Sequence, residues 1–221
     1  INPTLNAFGE IQSRKTLDLR MAASGQIQEL STNFVEGGSV KSGELLIRLD
    51  DSNYQTAVDL AENNLIDAKN EVMESARNLS FSKEELAAAE EQEKLRLRAF
   101  TRQKDLVERG VGTAAALENA ELSASGATQA VLSRKAAVDQ AKNRGAQAET
   151  RVVRAELALK DAKRKLEDTE LYAEFSGLLS GVSLVKGGIV SANERLVQLI
   201  DPKVLEVSFK ISTQQYTRLL N

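Results

Sequence analysis

One segment of this chain occurs twice, far apart. Val35 through Asp51 aligns without gaps on Val185 through Asp201. The pairs Val35/Val185, Gly37/Gly187, Gly38/Gly188, Val40/Val190, Glu44/Glu194, Leu46/Leu196, Leu49/Leu199 and Asp51/Asp201 are identical. Around the copies the pattern is β. Leu17, Leu19 and Met21 alternate with polar residues, as do Leu205, Val207, Phe209 and Ile211, the signature of half-buried strands. Gly43, Gly177 and Gly181 add turn signals between short runs. Each half is too short to bury a core alone. The two halves are therefore expected to pack together as one pseudo-symmetric β domain. The intervening chain must then return to where it left.

A helical hairpin does this. Ala, Glu, Lys, Leu and Arg dominate the middle, and aromatics are only 4% of the chain, a composition of long helices rather than a compact globule. Ser52 to Gln55 reads as a capping box opening the first helix. Arg109, Gly110, Val111 and Gly112 form the strong break, and Thr113 follows as the N-cap of the second helix. The arms run from 53 to 109 and from 114 to 168, each roughly 80–85 Å long at 1.5 Å per residue. Steps of seven in the first arm give Val58, Leu65, Val72, Leu79, Leu86, Glu93, Phe100 and Val107. The row three positions on is mostly small: Ala61, Ala68, Ser75, Ser82, Ala89, then Arg96 and Gln103. The second arm gives Leu117, Ala124, Val131, Val138, Gly145, Val152, Leu159 and Leu166, beside Ala120, Ala127, Arg134, Ala141, Ala148, Ala155 and Ala162. A strict seven-residue repeat implies a left-handed antiparallel coiled coil, with large residues facing small ones. Gly145 marks either a bend or a helix-weakening point.

Several function classes are excluded by composition. With no Cys and no His, disulfides, Cys/His zinc sites, thiol nucleophiles and histidine acid–base catalysis are all ruled out. A net charge of -3 offers no basic field for nucleic acid. No run of 18 apolar residues is present to span a membrane. The carboxylate pairs Glu84/Glu85 and Glu90/Glu91 point in different directions on a helix, and Asp50/Asp51 suit a helix N-terminus. Lys163, Arg164 and Lys165 suit a helix C-terminus. No catalytic, metal-ligating or cofactor-binding residue is expected, and the chain reads as non-enzymatic.

The split repeat resembles the periplasmic adaptor, or membrane fusion protein, family. There a lipoyl- or biotinyl-like β-sandwich is divided by an α-hairpin. The first half here carries Gly25 to Leu30 and Val35 to Leu46. The second carries Ala173, Glu174, Phe175, Ser176 and Gly177, similar to the family's Ala-Pro-Phe-Asp-Gly but with Glu and Ser at the second and fourth places. At the hairpin tip, Arg102, Leu106 and Thr113 are similar to the family's Arg, Leu and Ser for docking on TolC-like channels, with Thr for Ser. Taken alone, Thr113 reads as a cap, Leu106 as an apex core residue and Arg102 as a solvated charge. The resemblance makes them, with Gly110 as turn residue, a partner-binding tip.

The resemblance implies an elongated α+β fold: a long antiparallel coiled-coil hairpin inserted in a split lipoyl-like sandwich, with parts of a β-barrel. Its divisions are 1–22 (barrel strand), 23–51 (lipoyl-like half), 52–168 (hairpin), 169–201 (second half) and 202–221 (barrel part, with Ser212 to Gln215 capping a short helix). It implies a bridge in a tripartite efflux system between an inner-membrane transporter and a TolC-like outer-membrane channel. The tail from Phe209 to Tyr216 resembles adaptors of resistance-nodulation-division (RND) pumps, and an ABC exporter or type I secretion system is the alternative partner. A homo-oligomeric, commonly hexameric, ring in the periplasm is implied. The chain is expected to be a piece of a longer protein, anchored to the inner membrane through a segment outside it. The rival readings are a biotin or lipoate carrier and a cytosolic coiled-coil scaffold. Neither Lys41 nor Lys186 lies at the junction of the halves, where a carrier's modified lysine sits.

Overall fold

The computed structural model describes residues 9–209. The expected cap at Ser212 to Gln215, and all of the pump-like tail beyond Phe209, lie outside these residues. Two compact units are present. One combines the chain up to residue 58 with the chain from 161 onward, and the other is residues 59–160.

Among the described residues the first unit holds ten strands: β1 (Gly9–Ser13), β2 (Thr16–Arg20), β3 (Gly25–Leu30), β4 (Ser39–Val40), β5 (Leu45–Leu49), β6 (Glu170–Tyr172), β7 (Gly177–Ser180), β8 (Ile189–Val190), β9 (Arg195–Ile200) and β10 (Leu205–Phe209). Between β5 and β6 run two helices, α1 (Ser52–Glu108) and α2 (Ala114–Glu167). Eight strands form two four-stranded sheets, ordered β2-β9-β7-β4 and β6-β5-β3-β8, with antiparallel pairing throughout. Each sheet takes its two central strands from one half of the sequence and its two edge strands from the other. Neither half can complete a sheet alone.

The repeat reappears as paired positions in one core. Val40 and Val190, Leu46 and Leu196, Ile47 and Val197, and Leu49 and Leu199 are all buried, joined by Met21, Ile27, Phe34 and Leu179. Each such side chain contributes roughly 1.5–3 kcal/mol on burial, which fixes which face of each strand turns inward. The turns repeat as well. The backbone is left-handed at Gly37 and Gly187, and again at Gly43 and its counterpart Asn193, a residue whose short polar side chain tolerates that conformation. Glu44 accepts a hydrogen bond from the Lys41 N–H at 2.9 Å, and Glu194 one from the Ser191 N–H at 2.8 Å, closing the two equivalent turns alike. Glu36 ties the first half to the second: its carboxylate accepts from the N–H groups of Val182 and Gly181 and from the Ser180 hydroxyl. These donors, Val182 foremost, hold Glu36 below the usual glutamate range.

β1 and β10 form a separate two-stranded ribbon. Ile11, Leu205, Val207 and Phe209 share one of its faces, opposite the polar face of Glu10, Gln12, Glu206 and Ser208. The alternation in β10 predicts half-burial, yet Leu205, Val207 and Phe209 are 60%, 58% and 56% exposed. The reason is geometric: among the described residues β1 is the only strand pairing with β10, and no element covers the apolar face.

The capping box expected at Ser52 is not formed through its hydroxyl. That hydroxyl donates to the Asp50 carboxylate, which also accepts the Ser52 N–H. The first intrahelical bond runs from the Gln55 N–H to the Asp51 carbonyl at 2.8 Å, so the aspartates rather than Ser52 begin the helix. Their negative charge favours that end of the helix dipole.

In the helical unit the seven-residue rows form the seam. Every position in both rows of both helices is buried or half-buried except Arg96 and Arg134. Arg134 instead reaches across to the half-buried Glu85 at 3.0 Å. Arg151 pairs with Glu71 and Lys135 with Glu90, also across the seam. Exposed pairs of this kind contribute about 0.2–1 kcal/mol each, so the apolar seam dominates stability and the charges help set alignment. Gly145 faces Ser75, and a Cβ there would meet the Ser75 oxygen at an ordinary 3.9 Å. α2 passes through Gly145 unbroken. No helix among the described residues is long and apolar enough to cross a membrane.

Candidate functional site

The apex of the hairpin is built by a helix ending that the sequence enforces. Gly110 takes the left-handed conformation at φ 77°, which an L side chain adopts only at a cost. The Gly110 N–H then bonds the Val107 carbonyl at 2.9 Å, and the Val111 N–H bonds the Leu106 carbonyl at 3.0 Å. These two bonds are the Schellman pattern that satisfies the last carbonyls of a helix. The Gly112 N–H also reaches the Leu106 carbonyl, at 3.0 Å. Gly112 is packed so tightly over the end of α1 that a Cβ would lie 2.8 Å from the Val107 nitrogen. Thr113 starts α2: its hydroxyl accepts the Ala116 N–H at 3.2 Å and its carbonyl the Leu117 N–H at 3.2 Å.

The expected tip residues fall into different roles. Arg102 is exposed and forms no ion pair or side-chain hydrogen bond among the described residues, which leaves its guanidinium available to acceptors. Leu106, one helical turn on, is half-buried, and its carbonyl anchors the turn. Gly110 supplies the backbone reversal. Thr113 is exposed, and although its oxygen caps α2, its hydroxyl proton remains free to donate. Arg109 is held by Asp105 at 3.2 Å. Sequence reasoning passed over Val111. It is 73% exposed, an apolar side chain displayed between two glycines. Its signal was present in the Gly-Val-Gly spacing, since a turn flanked by glycines has nowhere to bury its central side chain.

The apex thus offers one unpaired guanidinium, one hydroxyl and an apolar tip. Among the described residues no group of three His, Cys, Asp or Glu residues could hold a metal. Lys41 and Lys186 sit on turns of the β unit, while residues 52–167 occupy the junction between its halves.

No family model matches the chain. The pyoverdine export membrane fusion protein PvdR of Pseudomonas putida is 29% identical over 106 residues, which are 48% of this chain and 26% of that protein. The chain therefore spans about a quarter of the length of that curated relative. Among solved structures, MacA from Actinobacillus actinomycetemcomitans is similar with a TM-score of 0.57 at 20% identity, over 96% of this chain and 57% of MacA. The membrane fusion protein Spr0693 from Streptococcus pneumoniae is similar with a TM-score of 0.51 at 17% identity, over 96% of this chain and 72% of Spr0693. The fold, two long helices set between the halves of one β unit, is thus similar to that of MacA and of the membrane fusion protein Spr0693.

Proposed function

We propose that this chain is the hairpin-bearing part of a periplasmic adaptor, a non-enzymatic connector between an inner-membrane transporter and a TolC-like outer-membrane channel. The observation that carries the reading is the apex. A Schellman turn and a threonine cap fix a blunt end on two helices of 57 and 54 residues, and display Arg102, Leu106, Val111 and Thr113 there. A rigid pair of this length suits a strut whose end meets a partner. Arg102 supplies hydrogen bonds to carbonyls or carboxylates, Thr113 a hydroxyl, and Leu106 with Val111 the apolar contact. The β unit forms the base. The exposed apolar face of the β1–β10 ribbon fits an incomplete β-barrel that further strands of a longer protein cover. Only β1 and β10 belong to that barrel part: β2, expected there within 1–22, instead pairs with β9 and buries Leu19 in the lipoyl-like base, which runs over 16–51 and 169–201, with the hairpin at 52–168. The transporter is of the RND class, a choice that rests on the resemblance of the tail, and the adaptor works as a periplasmic ring anchored to the inner membrane.

The test is crosslinking in living cells. The chain has no native cysteine, so a photo-crosslinker on Val111→Cys labels one place only. Gly110 is unsuitable because its φ is positive. The expected result is an adduct with an outer-membrane channel protein, lost in Arg102→Asp. No adduct, with export unchanged in Arg102→Asp, removes this account of the apex. Co-purification of an ABC exporter in place of an RND transporter would reassign the inner-membrane partner.

A further inference from the structure

The charges near the end of α1 are arranged against the helix's own interest. A helix C-terminus favours cations in its last turn. Here the last turn holds no basic residue and instead carries Asp105 and Glu108. The cations lie earlier. Lys94, Arg96, Arg98, Arg102 and Lys104 fall within eleven residues that contain no carboxylate. Arg98 is ten positions from the helix end, about three turns, beyond the reach of the dipole. It is also the one cation of α1 with no carboxylate within four positions on either side, so it has no partner along its own helix. Glu118 and Glu121, at the start of α2, make no ion pair with it. Arg98 and Arg102 stand one turn apart, both exposed and both without an ion pair among the described residues. Leu97 and Thr101 lie beside them on the same face of α1, Leu97 is 44% exposed, and Glu93 and Asp105 bound the face at its two ends, Asp105 being engaged by Arg109.

We infer that this face of α1, through the unpaired Arg98 and Arg102, is a second contact surface, which receives a carboxylate-bearing helical segment of the partner protein met by the apex. The inference rests on the apex reading above and extends it three turns down α1, with Arg98 as the added recognition residue. Two guanidiniums one turn apart match carboxylates one turn apart on a facing helix. Leu97 supplies an apolar contact beside them, which argues for a protein side-chain surface over an anionic polymer. Such a contact steers association and weakens with salt.

The test places a photo-crosslinking residue at Leu97 and, in a separate strain, at Val111, in cells producing the protein. The expected Leu97 adduct is a peptide of the same channel protein, containing Asp or Glu. Arg98→Glu lowers that adduct at least tenfold and leaves the Val111 adduct in place, Arg98→Gln lowers it less, and reversal of the partner carboxylate to Lys restores it with Arg98→Glu. Circular dichroism checks that the exposed substitutions leave the helices intact. A Val111 adduct with no Leu97 adduct, or a Leu97 adduct insensitive to Arg98→Glu, overturns this inference and leaves the apex reading standing. Leu97 labelling only of a second copy of the chain, or only of lipid or polysaccharide, also overturns it. Loss of both adducts in the unsubstituted protein overturns both readings.

Discussion

Gly112 leaves no room for a side chain, because its Cβ would stand 2.8 Å from both the Val107 nitrogen and the Val107 Cγ2. Gly110 has open space around it but a positive φ. The two glycines at one turn are therefore required for different reasons, and their replacements should differ. Gly110→Ala costs about 1–2 kcal/mol of left-handed strain without moving the turn. Gly112→Ala displaces the turn itself, so the two N–H groups that share the Leu106 carbonyl lose their acceptor. Hydrogen exchange checks this: the Val111 and Gly112 amides exchange much faster in Gly112→Ala and only modestly faster in Gly110→Ala. Equal protection in both variants would contradict the packing argument. At this scale the sequence was legible where one residue had one option. A threonine directly after a glycine turn had to cap. Ser52 was misread because Asp50 and Asp51 precede it and compete for the same role with a full charge. Val111 was passed over because exposure of an apolar residue depends on what the turn does with its neighbours.

At the scale of elements, periodicity carried almost everything in the helices and little in the sheets. The rows read by steps of seven are the rows found buried or half-buried, from Val58 to Leu166. The exceptions are the arginines Arg96 and Arg134, whose long stems leave the seam to keep the guanidinium wet, Arg134 pairing with Glu85. Val131 is 3% and Ala148 1% exposed, so the seam tolerates neither shrinkage nor growth. Val131→Ala is expected to lower stability by about 1–3 kcal/mol, and Ala148→Leu by a similar amount through overpacking. Gln129→Ala, on the solvent face, should stay within about 0.5 kcal/mol. Urea unfolding followed by helical circular dichroism decides this, and three equal midpoints would mean that the rows are not the seam. Sheet order was not legible. The repeat showed that two halves belong together, but the pairings that add each sheet's edge strands join positions more than a hundred apart, and no local pattern announces which half supplies an edge. β10 shows the same limit: alternation revealed its apolar face but not whether anything covers it.

For the molecule as a whole, the β unit is closed by the chain on either side of the helices. The Leu49 N–H bonds the Thr169 carbonyl at 3.0 Å, so the chain returns within hydrogen-bond reach of where it left. Removing residues 59–160 and joining the ends through a short glycine linker, which keeps Tyr54 packed on the β core with its hydroxyl on the Ser24 carbonyl, should therefore leave a folded β unit with a cooperative melt. A featureless melt would show that the helices contribute to the core of the sheets. Exchange of edge strands between the halves also bears on the order in which structure appears. During synthesis the first half emerges with sheet partners that do not yet exist, and its apolar strands wait until residue 200 has been made. The helices need only neighbours along the chain, and such local structure forms early. Once they pair, a loop of more than a hundred residues behaves as one of a few, which lowers the entropy cost of bringing β5 and β6 together by about 3–4 kcal/mol. The hairpin is then the assembly jig of the domain that carries it, and a fault in the seam delays the closing of the sheets.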